Sequence, residues 1–562
     1  MRPNIRSATR IFLPSAVVRR RVSLALAALS LVAVSGCGPE DTPLPQASSG
    51  QVKPVVASGM SNYASARFAE QTTFGPTPAV TKEIASQGAS AWIDAQMALP
   101  VNALQTPSFA VTFNSNIPDE NIRPNDWIDI NFQKVLLTGP DQLRLRVSWA
   151  LFQYIPVETR PYGMAEYYNR VLWKNAFGNY RDLLRDMTVH PSMGVLLNNN
   201  ENRAVSSSCL DCAPNENFAR ELLQLFSVGV VQLNPDGSVV RDASGKVLET
   251  YTQKDVEELA RALTGWDFAP GGTDANYANF GKDMVPSSWQ AAHDRNAKVV
   301  MGKTFPAGRE APQELETILD MLMAHPNIAP FVSLRMIQHL VTSDPTPQYL
   351  GRVSAVFKNN GQGVTGDMKT VIKAVLLDPE ARAGDVPGGS PARFGKLKEP
   401  VLWWTAALRG LGCSSALKWG AGDGRTVKVS GQDPLRPPSV FSFYLPTDRA
   451  PGSNLLAPEQ KLLGADQMTS RLGMLGSVLS QQGATTNAAA GCQVSSLAQT
   501  FSLSPQAFVD EVSSRWFRGA MPPTLRNNLI FLANSQSWES SEQAALTLLQ
   551  FALATPYFGV MK

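Results

Sequence analysis

Apolar residues recur at intervals of three and four along most of the chain after residue 60. This spacing places them on one face of an α-helix, so it predicts amphipathic helices packed around a shared core. Clear examples are Leu145, Trp149 and Phe152, followed by Leu315, Ile318, Leu319 and Leu322. The pattern therefore predicts a mainly α fold with a large multi-helix body.

Turn and capping signals between residues 231 and 301 add detail to this prediction. The motif T-Q-K-D at 252–255 resembles a capping box, and Gly265 lies where a helix C-cap is expected. The pairs D-G at 236–237 and S-G at 244–245 indicate turns, with short strands expected at 239–240, 246–249 and 298–301. We therefore predict a small β-hairpin insertion in the helical body.

The first 36 residues carry a targeting pattern. Six arginines precede an apolar run from Leu24 to Val34, and no acidic residue occurs before Glu40. The run is too short to span a membrane, and it ends in V-S-G-C at 34–37, which resembles a bacterial lipobox. We expect a lipoprotein signal peptide at 1–36 and lipidation of Cys37. The lipid would attach the protein to the membrane of the cell envelope, on the periplasmic face or at the outer membrane.

The mature chain is nearly neutral. The sequence has 50 Lys and Arg against 47 Asp and Glu, and six of the arginines lie in the signal, which leaves 44 against 47. Without a basic run this balance argues against a nucleic-acid partner. Residues 37–60, rich in Pro, Ser, Gly and Ala, predict a disordered tether, and 61–562 predict the helical domain, with a candidate subdivision near 410–430.

Two segments carry the clearest motif. They are N-E-N-F-A-R-E-L-L-Q-L-F-S-V-G-V at 215–230 and Y-T-Q-K-D-V-E-E-L-A-R-A-L-T-G-W at 251–266. Both resemble the signature of the bacterial family called domain of unknown function 1800. Similar stretches are A-R-F at 66–68, N-A-F-G-N-Y-R-D-L-L at 175–184, H-D at 293–294, R-P-P-S-V-F at 436–441 and L-A-T-P-Y-F at 553–558.

The resemblance covers nearly the whole mature chain but implies no established reaction. Two places depart from the family pattern: Ser442 stands where Gly is common, and W-A-L-F at 149–152 replaces a more polar, His-containing run. Family members are often encoded beside an exported protein that resembles sulfatases and alkaline phosphatases. The resemblance thus implies a protein partner of that kind.

The signature segments supply candidate catalytic residues. Glu216, Arg220 and Glu221 could present a carboxylate and a guanidinium at a cleft, as acid or base and anion clamp. An N-cap and an i,i+4 ion pair explain the same residue types structurally. Asp255 carries the same two interpretations.

Histidine and tryptophan give further candidates. His293-Asp294 could act in catalysis, but the four histidines show no paired ligand spacing, so neither a metal site nor a cofactor is expected. Trp266 and Trp289 could stack on a ligand such as a sugar, or they could belong to the core.

Four cysteines beyond Cys37 are candidates for disulfides. Cys209 and Cys212 lie close enough to close a small ring in an oxidising compartment, and Cys413 and Cys492 could pair if their Gly-rich loops meet.

Two functions remain open from the sequence, and it does not decide whether the protein is an enzyme. One is a lipid-anchored binding or assembly protein of the envelope. The alternative is an envelope hydrolase that acts through the carboxylates and arginines of the signature. We predict that the helices beginning at Glu216 and Gln253 pack side by side. Their polar faces, with Trp266 and His293-Asp294, would then line one cavity.

Overall fold

Helix starts in this chain follow capping side chains and prolines. The computed structural model describes residues 59–102, 124–158, 161–206, 208–271, 279–413, 431–481, 492 and 494–562. Within them, Ser61, Thr77 and Asn215 each accept a hydrogen bond from a backbone N–H in the first turn of the helix that follows. Several other helices begin with proline, which has no N–H group to satisfy there.

The first part of the described chain is helical. Its elements are α1 (Asn62–Thr72), α2 (Pro78–Gln87), α3 (Ala89–Ala98), α4 (Pro124–Thr138), α5 (Gln142–Tyr154), α6 (Pro161–Tyr167), a π-helix (Tyr168–Trp173), α7 (Tyr180–Val189), α8 (Pro191–Leu196), α9 (Glu216–Gln224) and α10 (Gln253–Ala262).

Short strands and further helices follow. They are β1 (Trp266–Asp267), β2 (Val285–Pro286), a 3-10 helix (Gln290–Ala292), β3 (Lys298–Val300), β4 (Lys303–Phe305), α11 (Ala311–Ala324), α12 (Ile328–Leu340), α13 (Pro347–Lys358), α14 (Met368–Leu377), α15 (Pro379–Arg382), a 3-10 helix (Ala383–Asp385) and β5 (Lys396–Leu397).

The last part is again helical. It contains α16 (Pro400–Gly410), a 3-10 helix (Pro458–Leu462), α17 (Ala465–Gln481), α18 (Val494–Leu503), α19 (Pro505–Trp516), α20 (Pro523–Ser535), α21 (Ser541–Leu553), α22 (Pro556–Gly559) and β6 (Val560–Met561). The strands pair antiparallel as β1 with β2, β3 with β4, and β5 with β6.

The mainly α fold predicted from the sequence is confirmed, with 22 α-helices and three small two-stranded sheets among the described residues. The insert between α9 and α10 folds back through the backbone pairs Val231–Glu249, Leu233–Val239 and Arg241–Val247. Isolated bridges, rather than continuous strands, thus form the predicted hairpin. The predicted strand at 298–301 corresponds to β3.

Among the described residues, buried apolar side chains form two clusters. The first contains residues of helices α1 to α15, Val401 and Leu402 from the start of α16, and Met561 from β6. The second joins α16 to α22, with Trp403, Phe508 and Leu549 among its members. The described residues nevertheless belong to one compact unit.

Several predictions fall outside the described residues. They concern the signal peptide, Cys37, the tether up to residue 58 and positions 414–430 of the candidate subdivision. Within the described part, no helix combines the length and the apolar character that a membrane span requires.

Candidate functional site

The signature helices α9 and α10 pack side by side, as predicted, and polar side chains join their first turns. Arg220 Nη2 donates to Glu216 Oε2 at 2.7 Å and to Gln253 Oε1 at 3.1 Å, and Gln253 Nε2 donates to Glu216 Oε2 at 2.8 Å. The side chains of Glu216 and Arg220 are 37% and 39% exposed. Together with the Asn215 cap, this closed triangle gives these residues a helix-joining role.

Asp255 serves the start of α10. Thr252 and Asp255 form the predicted capping box, in which each side chain bonds the backbone of the other residue. The second carboxylate oxygen of Asp255 accepts the backbone N–H of Met301 at 2.6 Å. Burial tends to raise the pKa of Asp255, but the hydrogen bonds from Thr252 and Met301 outweigh it and lower that pKa. Asp255 therefore ties α10 to the turn between β3 and β4.

Asp294 belongs to a third group, at the end of α10. Arg261 donates to Asp294 Oδ2 at 2.7 Å through Nε and to Glu258 Oε2 at 2.7 Å through Nη1. Burial alone would raise the pKa of both acids, but the Arg261 guanidinium and further hydrogen bonds hold both below their ordinary values. These carboxylates are ionised and paired.

His293 lies in the interior behind that group. Its Nδ1 is 2.9 Å from the carbonyl oxygen of Thr264, which can only accept, so Nδ1 carries the proton of the neutral ring. Its Nε2 is 3.5 Å from Glu314 Oε2, and Lys298 Nζ donates to Glu314 Oε1 at 2.9 Å. Burial lowers the pKa of His293 and raises that of Glu314. The side chains of Lys298 and Glu314 are both fully buried.

The six catalytic candidates are thus distributed over separate groups. Arg220 and Arg261 belong to different groups. Among the described residues, no hydrogen bond or ion pair joins the Glu216, Asp255 and Asp294 groups to one another. The arrangement matches the structural interpretation of the signature more closely than the expected common cavity.

Glu221, like His293, is a buried candidate. It is 7% exposed, and its Oε2 has no hydrogen-bond partner among the described residues. Burial raises the pKa of Glu221, against the opposing effect of Arg220. Burial also raises the pKa of the nearby Tyr251 to about 12. Glu221 is therefore a carboxyl group that could remain protonated at a higher pH than usual.

The tryptophan candidates differ in exposure. Trp266, in β1, is 4% exposed, so a ligand could not stack on its ring without rearrangement. Trp289 is 36% exposed, but the guanidinium of Arg203 lies 6.0 Å from its ring centroid and covers part of it.

Both cysteine pairs are joined in the structure. A disulfide links Cys209 and Cys212 in the loop that leads to α9. Another links Cys413, after α16, to Cys492, before α18. Among the described residues, no cluster of three or more His, Cys, Asp or Glu side chains is placed to hold a metal ion.

A cavity of about 380 Å³ lies elsewhere, beside the π-helix. We call it the π-helix pocket. Its lining residues are Val101, Asn169, Arg170, Val171, Lys174, Asp186, His190 and Asp283. The π-helix and the residue after it supply four of them, and π-turns inserted in α-helices are frequent at functional sites. The volume falls in the range typical of small-molecule sites, about 300–1,000 Å³.

Charges of both signs face this pocket in balanced pairs. Arg170 pairs with Asp283 and also donates to the carbonyl oxygen of Phe280 at 2.9 Å. Lys174 Nζ lies 2.7 Å from Asp186 Oδ2, and its side chain is 62% exposed. The lining therefore offers two cations and two carboxylates, which can donate to and accept from a ligand.

His190 adds a buried donor that no described residue engages. Its Nδ1 accepts the backbone N–H of Ser192 at 3.2 Å, so the neutral ring carries its proton on Nε2. The side chain is fully buried and Nε2 has no hydrogen-bond partner among the described residues. Burial, with a smaller effect of Arg170, lowers the pKa of His190 well below its ordinary value. At neutral pH, His190 is therefore a neutral imidazole with an unused N–H group.

His325 is a close internal match to His190. Both precede proline at a helix junction, and His325 Nδ1 accepts the backbone N–H of Asn327 at 3.1 Å. His325 is only partly buried and is not among the residues that line the π-helix pocket. His190 and His325 thus cap a helix in the same way, but only His190 lines the π-helix pocket.

Sequence reasoning missed this pocket. His190-Pro191 was interpretable only as a helix end, which it is, and the sequence pattern does not distinguish a π-turn from an α-turn. A usable signal was the segment N-A-F-G-N-Y-R-D-L-L, which follows the π-helix and continues towards Asp186 and His190.

Comparison with known proteins gives one match. The model of a family described as protein of unknown function, DUF1800, matches residues 67–560. Searches of curated proteins and of solved structures give no match.

Proposed function

The chain belongs to the DUF1800 family, and we propose that it is a lipid-anchored binding protein of the bacterial cell envelope. We propose that the π-helix pocket is its binding site and that the ligand is small, neutral and rich in hydroxyl groups, such as an oligosaccharide end. The observation that carries this proposal is the unpartnered Nε2 of buried His190 at the wall of that pocket.

The pairing of the signature residues supports a binding role over hydrolysis at α9 and α10. A general acid or base must reach the substrate, directly or through one water. The carboxylate oxygens of Glu216, Asp255 and Asp294 instead accept hydrogen bonds in caps and ion pairs that hold helices together. Substrate at these positions would have to displace internal partners.

The chemistry of the pocket supports a neutral, hydroxyl-rich ligand. A hydroxyl group both donates and accepts, so it can bond to a carboxylate and to a cation at the same time. Arg170 with Asp283 and Lys174 with Asp186 offer such paired partners without a net charge. His190 is 0% exposed, so a ligand oxygen would reach its Nε2 only after the pocket wall rearranges. A buried N–H without a partner costs free energy that this bond would recover.

Titration calorimetry with maltose, cellobiose and trehalose as probes tests this proposal. We expect at least one disaccharide to bind, and the variant His190→Asn to weaken that binding at least tenfold. Asparagine keeps the capping acceptor while it removes the Nε2 donor. The matched control is His325→Asn, which should bind like the parent. Equal binding by both variants would reject the assignment of the pocket.

The membrane anchor rests on the V-S-G-C pattern at 34–37. We expect the variant Cys37→Ser to lose incorporation of labelled fatty acid and to leave the membrane fraction. Unchanged fractionation of this variant would contradict the lipid anchor.

We also propose a protein partner of the sulfatase- and phosphatase-like type that the family resemblance implies. Co-purification of the two exported proteins, each expressed with a different tag, tests this part. Separate elution in detergent, with both proteins folded, would remove the partner from the proposal.

A second candidate function is favoured by Glu221. A buried carboxyl group with a raised pKa is suited to act as a general acid, and perturbed groups of this kind cluster at active sites. An envelope hydrolase with Glu221 as acid predicts hydrolysis of a glycoside or ester substrate, and its loss in Glu221→Gln. Hydrolysis that survives this substitution would exclude Glu221 as the acid.

A further inference from the structure

A second cavity, of about 60 Å³, lies between the end of α5, the signature helix α9, helix α12 and the segment 440–446. We call it the Arg335 pocket. None of its described lining residues lines the π-helix pocket. Its polar lining residues are Gln153, Tyr154, Gln224, Arg335, His339 and Tyr444, and its apolar ones are Leu225, Phe331, Val440, Phe441 and Pro446. No carboxylate occurs in this described lining.

Arg335 is a half-buried cation that forms no ion pair within the described part of the chain. Its Nη1 donates to the amide oxygen of Gln338 at 2.9 Å, and its guanidinium lies 4.9 Å from the ring centroid of Phe331. Among the described residues, no carboxylate lies within ion-pair distance of it. Burial lowers the pKa of Arg335 to about 10, so it stays charged at neutral pH. A desolvated charge is stabilised by an opposite charge, which a ligand could supply.

Gln153 provides a second unused donor at the same cavity. It is 4% exposed, its Oε1 accepts from Ser442 Oγ at 3.3 Å, and its Nε2 has no partner among the described residues. Ser442 has a φ of 60°, a conformation that costs free energy for a residue other than glycine. The segment beside the pocket is thus held in an unusual backbone shape that places Ser442 against Gln153.

Ring contacts and backbone hydrogen bonds support the aromatic wall of the pocket. The ring of His339 stacks on that of Tyr154 with centroids 6.3 Å apart, and its other neighbour, the ring of Tyr444, is also 6.3 Å away. Lys396 Nζ and Arg146 Nη2 both donate to the carbonyl oxygen of His339, at 3.1 Å and 2.5 Å. Burial and the nearby cations lower the pKa of His339 well below its ordinary value, so its ring is neutral.

We propose that the Arg335 pocket binds a small organic anion, a carboxylate that carries an aromatic or branched apolar group. Arg335 pairs with the carboxylate, and the buried Gln153 Nε2 donates to it after the cavity wall rearranges. The volume accommodates the charged head, and the apolar group packs on the rim. Phe441 lies at this rim and is 42% exposed, which leaves it free to cover the ligand. The inference is independent of the proposed function, because it concerns a different pocket and an anionic ligand.

Titration calorimetry of the purified protein with benzoate tests this site. We expect saturable binding of benzoate, at least tenfold weaker binding of the neutral analogue benzyl alcohol, and at least tenfold weaker binding of inorganic phosphate, which lacks the apolar group. Equal binding of benzoate and benzyl alcohol would overturn the assigned role of the charge. Equal binding of benzoate and phosphate would overturn the apolar part of the proposal. Absence of benzoate binding to the folded parent protein would overturn the site.

Single substitutions test whether benzoate binds at the Arg335 pocket. We expect Arg335→Gln to weaken benzoate binding at least tenfold, whereas the matched control Arg526→Gln, in α20, binds benzoate like the parent. His190→Asn should also leave benzoate binding unchanged. If Arg335→Gln does not fold, the rim variant Phe441→Ala decides, since its side chain is exposed. It should weaken benzoate binding severalfold, and a change of less than twofold would overturn the assignment of the pocket.

Discussion

Charged side chains occur both at the signature helices and at the π-helix pocket, but their surroundings differ. At α9 and α10, the carboxylates of Glu216, Asp255 and Asp294 accept hydrogen bonds from Arg220, the backbone N–H of Met301 and Arg261. At the π-helix pocket two ion pairs, Arg170 with Asp283 and Lys174 with Asp186, line the cavity, and His190 Nε2 has no hydrogen-bond partner among the described residues. The most recognisable motif of this chain thus stabilises the fold, whereas the side chains suited to bind a ligand lie in a different region.

Substitutions in the two regions should have different effects on stability and on binding. If the signature region is architectural, changes there should lower the free energy of unfolding in proportion to burial, with little effect on binding. If the π-helix pocket is a binding site, changes there should affect binding more than stability. The following predictions begin with the largest expected effect.

Removal of Glu314 should be the most damaging single change behind the signature. Glu314→Ala leaves the fully buried Lys298 ammonium without its carboxylate, and breaking a buried pair costs about 3–5 kcal/mol of unfolding free energy. Chemical denaturation measures the loss. The control is the double variant Lys298→Met with Glu314→Leu, which removes both charges and should recover much of the stability. A loss below about 1 kcal/mol in Glu314→Ala would show that this pair is not architectural.

Acid should destabilise the protein through its buried histidines. The pKa of His190 is well below its ordinary value of 6.5, so the unfolded state binds more protons and unfolding free energy falls as pH drops below about 6.5. The contribution is at most about 1.4 kcal/mol per pH unit for one histidine. We expect His190→Asn to flatten the dependence of melting temperature on pH between about 6.5 and 5. An unchanged slope would contradict a neutral buried His190.

Arg220→Ala should have the smallest effect. The Arg220 and Glu216 side chains are more than one-third exposed, and exposed ion pairs contribute about 0–1 kcal/mol. We expect a loss below about 1 kcal/mol in denaturation and unchanged disaccharide binding. A loss above about 2 kcal/mol would mark a buried network instead. Abolished binding with normal stability would move the site to the signature.

Local signals predicted much of this architecture. The capping box at Thr252 and Asp255, the packing of α9 on α10 and the strand β3 all follow from residue types close together in the sequence. Gly265 was expected as a C-cap, but Leu263 holds that position. A Cβ on Gly265 would lie 2.7 Å from the Cβ of His293, so close approach of two segments requires glycine there.

The binding pockets could not be predicted in the same way. The π-helix pocket joins the π-helix to Asp283 and to His190, and the Arg335 pocket joins Gln153 to Arg335 and to residues near 441. These contacts depend on tertiary packing between distant segments. A donor such as His190 Nε2 becomes recognisable as unused only when all of its neighbours are placed.

A crystal structure of the protein with the tightest-binding disaccharide of the panel tests the central claim most directly. The account predicts that the sugar occupies the π-helix pocket, with a hydroxyl oxygen within about 3.2 Å of His190 Nε2. Bonds from the same ligand to Asp186 or Asp283 should complete its recognition. A sugar bound at Glu221 or on Trp289, with the π-helix pocket free of sugar, would contradict the account.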